Sequence, residues 1–126
     1  MTRSATRIAM MVFTALAVVA AGSGSVSART AFDGIWSVVV AAEQGNCSGA
    51  YRYPVAIVNG YVRHADPSDD SFVINGRVQP NGRVNVQVSS GDLRAFGAGR
   101  LSRFGGGGVW RSPNGCAGRW EAARRG

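Results

Sequence analysis

Turn-forming residues recur so closely along this chain that, beyond its first 28 residues, no stretch between them is long enough for a helix crossing from one strand to the next. Asn59-Gly60, Pro80-Asn81-Gly82, Ser90-Gly91-Asp92, Gly105 to Gly108 and Pro113-Asn114-Gly115 each supply the positive φ that a tight reversal requires. Asn75-Gly76 reads as a further turn or as a bulge within a strand. Between the turns apolar residues alternate with polar ones. Val84, Val86 and Val88 are interleaved with Arg83, Asn85, Gln87 and Ser89, the period of a strand with one wet face. Trp36, Val38 and Val40 share one face of an earlier strand, and Tyr51, Tyr53, Val55 and Ile57 one face of the next. Beyond residue 28 there are twelve Val and only two Leu, a bias toward pleated surfaces, where branched side chains lose little freedom.

This pattern predicts an all-β fold of about eight short strands, at 32–41, 50–58, 61–65, 72–79, 82–89, 93–102, 107–112 and 116–123. Consecutive strands joined by short turns form an antiparallel up-and-down meander. Eight is a number at which such a sheet closes into a barrel and removes its exposed edges. The facing of Trp110 stays open, because its neighbours are glycines.

The first 28 residues read differently. Arg3 and Arg7 precede an uninterrupted small and apolar run from Ile8 to Ala21, and Val26-Ser27-Ala28 has the small-x-small pattern of a signal-peptidase site. As a helix the run reaches only ~21 Å, short of the ~30 Å hydrocarbon layer. Residues 1–28 are therefore expected to be a cleaved signal helix, leaving no membrane span. Residues 29–126 form one β-barrel-like domain, periplasmic or secreted. No Cys follows the apolar run and the only Arg-Arg pair is Arg124-Arg125, so lipoprotein and twin-arginine routes are not indicated. In an exported chain two cysteines pair by default. Cys47 follows the first strand and Cys116 opens the last, so a disulfide between them would staple a barrel where its two ends meet.

Composition excludes several chemistries. All fourteen basic residues are Arg, so no lysine is present to serve a phosphate loop, a Schiff base or amine catalysis. One His and two Cys are too few for an ordinary zinc site. No Gly-x-Ser-x-Gly elbow occurs. His64 with Asp66, Asp69 and Asp70 is the one acidic cluster, in a segment with Pro67 that reads as a solvated loop; it lacks the spacing of an EF-hand calcium loop. An enzyme would have to use that loop. The expectation is a non-enzymatic chain with no catalytic, cofactor or metal residues.

The domain carries twelve Arg against seven acids, a net of +5. Tyr51-Arg52-Tyr53, Trp110-Arg111 and Arg119-Trp120 interleave cations with aromatics, as surfaces that stack and bind anions do. With Arg94 and Arg100 they make up the candidate ligand or partner surface: Tyr51, Arg52, Tyr53, Arg94, Arg100, Trp110, Arg111 and Arg119. Export argues against nucleic acid as the partner and points to an anionic envelope component or an acidic protein. The opposing reading is that outward Arg side chains keep a small barrel soluble.

Phe32-Asp33-Gly34-Ile35-Trp36 resembles the Gly-x-Trp opening of lipocalin-type barrels, and Trp36 followed by Cys47 is similar to the layout of small periplasmic metalloprotease inhibitors of that superfamily. The resemblance implies a closed meander in which an Arg near the last strand, here Arg119 or Arg124, packs over Trp36. It also implies one of two modes of action: an inhibitor barrel is filled and works through its N-terminal arm, whereas a carrier barrel is hollow and lined by aromatics. The ending Cys116-Ala117-Gly118-Arg119-Trp120-Glu121-Ala122 resembles small exported proteins of rhizobia-like proteobacteria, a likeness that implies export and brings no particular activity with it.

Overall fold

Strands joined in chain order by short reversals meet end to end around a cylinder in the computed structural model, which describes residues 29–126. The leader assigned to residues 1–28 lies outside the described residues. The strands are β1 (Gly34–Gln44), β2 (Ala50–Val58), β3 (Tyr61–His64), β4 (Val73–Val78), β5 (Arg83–Ser90), β6 (Leu93–Leu101), β7 (Gly105–Arg111) and β8 (Ala117–Arg124). Each pairs antiparallel with its chain neighbours, and β1 also pairs with β8, so the sheet closes into an eight-stranded barrel. The ladder between β1 and β8 runs from Trp36↔Arg124 to Ala42↔Gly118 and then shifts register before Gln44. Among the described residues no helix is long and apolar enough to cross a membrane.

The period-two pattern maps onto inside and outside. Trp36, Val55, Ile57, Val62, Ile74, Val78, Val84, Leu101, Trp120 and Ala122 are buried in one internal core with Phe32 and Phe72. Arg52, Arg63, Arg77, Arg83, Arg100, Arg111 and Arg119 are exposed. Removing the branched and aromatic side chains from water stabilises the cylinder by roughly 1.5–3 kcal/mol for each one fully buried.

Two local expectations are corrected. Gly105 and Gly106, read as part of a hairpin tip ahead of a strand at 107–112, belong with Gly107 and Gly108 to β7: Gly106, Gly107 and Gly108 stand opposite Leu101, Arg100 and Gly99 on one side, and Ala122, Glu121 and Trp120 on the other. The reversal is made by Ser102 to Phe104, where the Ser102 amide donates to the Gly105 carbonyl at 2.7 Å. A ladder on both flanks overrides the poor intrinsic strand preference of glycine. The missing side chains also serve packing. A Cβ on Gly99 would lie 2.6 Å from Cζ2 of Trp120, so a glycine is what lets that indole lie against the wall. Asn75-Gly76 is neither turn nor bulge, for Asn75↔Gln87 and Gly76↔Val86 continue the β4–β5 ladder without a shift.

One end of the barrel is plugged. Asp33, 7% exposed, accepts hydrogen bonds from the Thr30 hydroxyl at 2.5 Å, the Asn59 amide at 2.7 Å and the Gly60 amide at 3.1 Å, tying the segment before β1 to the β2–β3 turn. The Trp36 indole N–H donates to the Phe32 carbonyl at 2.9 Å, and Trp36 is 1% exposed. At the other end Cys47 and Cys116 are joined by a disulfide with Cα atoms 6.1 Å apart, which ties the β1–β2 loop to the β7–β8 turn.

Candidate functional site

The barrel is not filled. Between the Trp36 plug and the disulfide end lies a cavity of about 390 Å³, within the ordinary range for small-molecule sites of ~300–1,000 Å³. Its walls are apolar through most of their depth: Val38 and Val40 of β1, Val84, Val86 and Val88 of β5, and Ile74 of β4 face it. Alternation puts these residues inside, and the small residues of β6, Ala95 and Gly97, leave the space across from them.

Three tryptophans face the cavity with their polar atoms already satisfied. The indole N–H of Trp36 donates to Phe32 as described, that of Trp110 to the Ala41 carbonyl at 3.0 Å, and that of Trp120 to the Ala98 and Val109 carbonyls at 3.3 and 3.2 Å. The rings therefore offer the interior carbon surface and no free donor. The question left open for Trp110 is answered by tertiary structure: it points inward, with Gly118 opposite it on β8.

Polar groups gather at the mouth. Ser48, Ser90, Arg94, Ser112 and Asn114 line it beside the disulfide, together with Tyr51 and Leu93, which are 58% and 60% exposed. Tyr53 stands deeper, its ring edge-on to Phe72 at 4.6 Å between centroids. Burial, and secondarily the neighbouring Tyr51, push the Tyr53 phenol above its ordinary pKa, so it stays a neutral hydroxyl at physiological pH.

The eight residues named from aromatic and arginine interleaving divide into two groups. Tyr51, Tyr53, Arg94 and Trp110 come together on the cavity. Arg52, Arg100, Arg111 and Arg119 do not line it. Arg52 donates to the Ser37 hydroxyl at 3.0 Å, Arg111 lies 5.9 Å from the Phe96 ring centroid, and Arg119 is 3.7 Å from Glu43. Arg100 stands opposite Arg83 on the outside of the β5–β6 pair. Strand alternation separates neighbours such as Arg52 and Tyr53 onto opposite faces, which adjacency in sequence conceals. The serines and Asn114 at the mouth were missed, because single small polar residues in turns carry no periodic signal.

The acidic loop between β3 and β4 is occupied with its own geometry. The Asp66 amide donates to Nδ1 of His64 at 2.9 Å, which places the proton of the neutral ring on Nε2, 3.3 Å from an Asp69 carboxylate oxygen. The Asp66 carboxylate takes the Ser68 hydroxyl and amide, and Asp69 takes the Ser71 amide; these bonds hold both carboxyls below their ordinary pKa. The His64 ring stacks on Phe72 at 4.0 Å. Among the described residues no three His, Cys, Asp or Glu side chains converge as a metal site would require.

Of the two arginines named for packing against the first-strand tryptophan, Arg124 occupies that place, its guanidinium carbon 5.4 Å from the Trp36 ring centroid. No protein-family model, curated protein or solved structure matches this chain.

Proposed function

We propose that this protein is an exported, non-enzymatic carrier that takes a small apolar molecule into its barrel. The observation that supports this most directly is the 390 Å³ cavity walled by valine and by indoles whose N–H groups are all engaged. Such a space gains free energy by removing apolar surface from water and offers nothing to a polar solute. A disulfide, a leader-like N-terminus and an arginine-studded exterior accord with a barrel working in the periplasm or outside the cell. Charge outside and carbon inside is the arrangement of a barrel dissolved in water, the inverse of one that faces lipid. The inhibitor reading calls for a filled interior, so the open one favours the carrier of the two lipocalin-like modes. The outer arginines, Arg52, Arg100, Arg111 and Arg119, would bring the carrier to an anionic envelope component or acidic protein.

The experiment is uptake of the neutral dye N-phenyl-1-naphthylamine, followed by energy transfer from tryptophan. The expected result is saturable uptake of one dye per chain, strongly reduced by Val88→Phe, which fills the cavity from β5, while that variant keeps a cooperative unfolding transition. Absence of saturable uptake by the wild type would remove the carrier reading.

A further inference from the structure

Charge is divided between the two ends of the barrel, and the division marks out a docking surface. We infer that the plugged end settles on an anionic phospholipid membrane, with Arg77, Arg83, Arg100, Arg103 and Arg125 meeting lipid phosphates, Phe104 entering the headgroup layer, and the mouth facing the water. This inference rests on the anionic-partner part of the proposed function, to which it gives a surface and an orientation, and it does not depend on the cavity.

Antiparallel order puts the β2–β3, β4–β5 and β6–β7 turns at the plugged end and the other four connections at the mouth. Of the seven acidic residues, five lie toward the mouth: Glu43 near the end of β1, Asp66, Asp69 and Asp70 in the β3–β4 loop, and Asp92 in the β5–β6 turn. Glu121 stands on the wall of β8. Asp33, the one acidic side chain at the plugged end, is buried, with its oxygens taken by the Thr30 hydroxyl and two amides. The five arginines at that end are all exposed. Arg83 and Arg100 stand directly opposite each other on β5 and β6, and Arg77 lies diagonal to Arg83 on β4. Like charges so placed repel. No carboxylate relieves them, for the ion pairs among the described residues are His64–Asp69 and Arg119–Glu43. Arg77 lies instead over the Tyr61 ring, 4.8 Å from its centroid. The counter-charge for this end therefore comes from outside the chain.

Phe104 separates a membrane from a soluble polyanion. It is 72% exposed, more than any other large apolar side chain among the described residues. Its turn is held in place: the Arg124 amide donates to the Phe104 carbonyl at 2.9 Å and the Arg124 guanidinium to the Arg103 carbonyl at 3.0 Å. The Leu101 amide donates to the Gly82 carbonyl at 2.8 Å, which sets this turn beside the one that leads to Arg83. An aromatic ring thus stands in water among guanidiniums, the combination by which proteins lodge in an anionic membrane interface. Ile35, Val58 and Tyr61 add exposed apolar surface at the same end. The mouth also exposes Tyr51, Val73 and Leu93, but places Asp69, Asp70 and Asp92 on the same rim, where an anionic surface repels them. A soluble polyanion would engage the guanidiniums and leave Phe104 in water; a bilayer engages both.

The test is co-sedimentation of the full chain with phosphatidylcholine vesicles made with and without phosphatidylglycerol, the first 28 residues being common to every variant. Binding is expected to require phosphatidylglycerol and to weaken as salt rises. Arg83→Gln/Arg100→Gln is expected to weaken it at least about tenfold and Phe104→Ser about tenfold, whereas Arg111→Gln/Arg119→Gln, which removes the same charge toward the mouth, changes it less than about twofold. A second pair at the plugged end, Arg103→Gln/Arg125→Gln, is expected to act like the first, and each variant is required to keep a cooperative unfolding transition. Binding that ignores phosphatidylglycerol, or equal losses from the two ends, overturns the end-on docking. A Phe104→Ser variant with full affinity assigns the arginines to a soluble polyanion and overturns the membrane. Dye uptake is read separately, so the docking and the carrier reading stand or fall independently.

Discussion

Arg124 at the end of β8 lies across the Trp36 indole near the start of β1, its guanidinium carbon 5.4 Å from the ring centroid and its Nη1 donating to the Ala31 and Arg103 carbonyls at 2.8 and 3.0 Å. Its other terminal nitrogen donates to the Asp33 carbonyl. One planar cation thus joins the segment before β1, the β6–β7 turn and the last strand over the floor of the cavity.

Replacing Arg124 by Ala is expected to destabilise the barrel by about 2 kcal/mol, from lost charge-assisted hydrogen bonds and lost attraction to the ring. Arg124→Lys should recover little, because an ammonium cannot spread over the indole and reach three carbonyls at once. Urea unfolding of the three proteins measures both values, and a Lys variant as stable as wild type would refute the planar-fork account.

The Cys47–Cys116 bond spans 69 positions, a loop whose closure removes roughly 4 kcal/mol of unfolded-chain entropy. A Cys47→Ala/Cys116→Ala double variant, or wild type under reducing conditions, should therefore lose about 2–4 kcal/mol. Because the bond sits at the mouth and the floor is held independently by Arg124 and Asp33, dye uptake should persist at temperatures where the reduced protein is still folded. An unfolding midpoint unmoved by reductant would contradict the staple.

Asp33 sets the acid limit of the plugged end. Burial pushes its carboxyl up, but the Thr30 hydroxyl and the Asn59, Gly60 and Thr30 amides together outweigh this and hold it below the ordinary 3.8. A carboxyl lowered on folding contributes stability that is fully present above its unfolded value and is lost as pH falls through its folded value. Asp33→Asn should therefore cost about 1–2 kcal/mol at pH 7, and the gap to wild type should narrow as pH falls from about 4 toward 2. Asp66 and Asp69 are shifted in the same direction, so the comparison is between variant and wild type at each pH, which cancels their shared slope. A gap independent of pH would assign the effect to packing instead.

Much of the barrel was written in local pattern. Val84, Val86 and Val88 against Arg83, Asn85 and Gln87 declare a strand and its inner face, since side chains on a pleated ribbon must alternate. Asn59-Gly60 and Pro113-Asn114-Gly115 declare reversals because Asn59, Gly60 and Gly115 take positive φ. The start of β7 at Gly105 and Gly106 was illegible for a corresponding reason: with no side chain there is no alternation to read, and only pairing to β6 and β8 extends the strand back to them.

Residue order by itself determined most of the strands and their inward faces, the closure number and the cysteines available to join, because each depends on spacing along one chain. The cavity, the inward turn of Trp110, the choice of Arg124 over Arg119 above Trp36, and the meeting of Tyr51, Tyr53 and Arg94 at one mouth were decided only in three dimensions. Whether inward side chains fill a cylinder depends on the stagger that sets its width and on where glycines such as Gly97 and Gly99 fall opposite large residues. Those relations join positions far apart in sequence, and no local period encodes them.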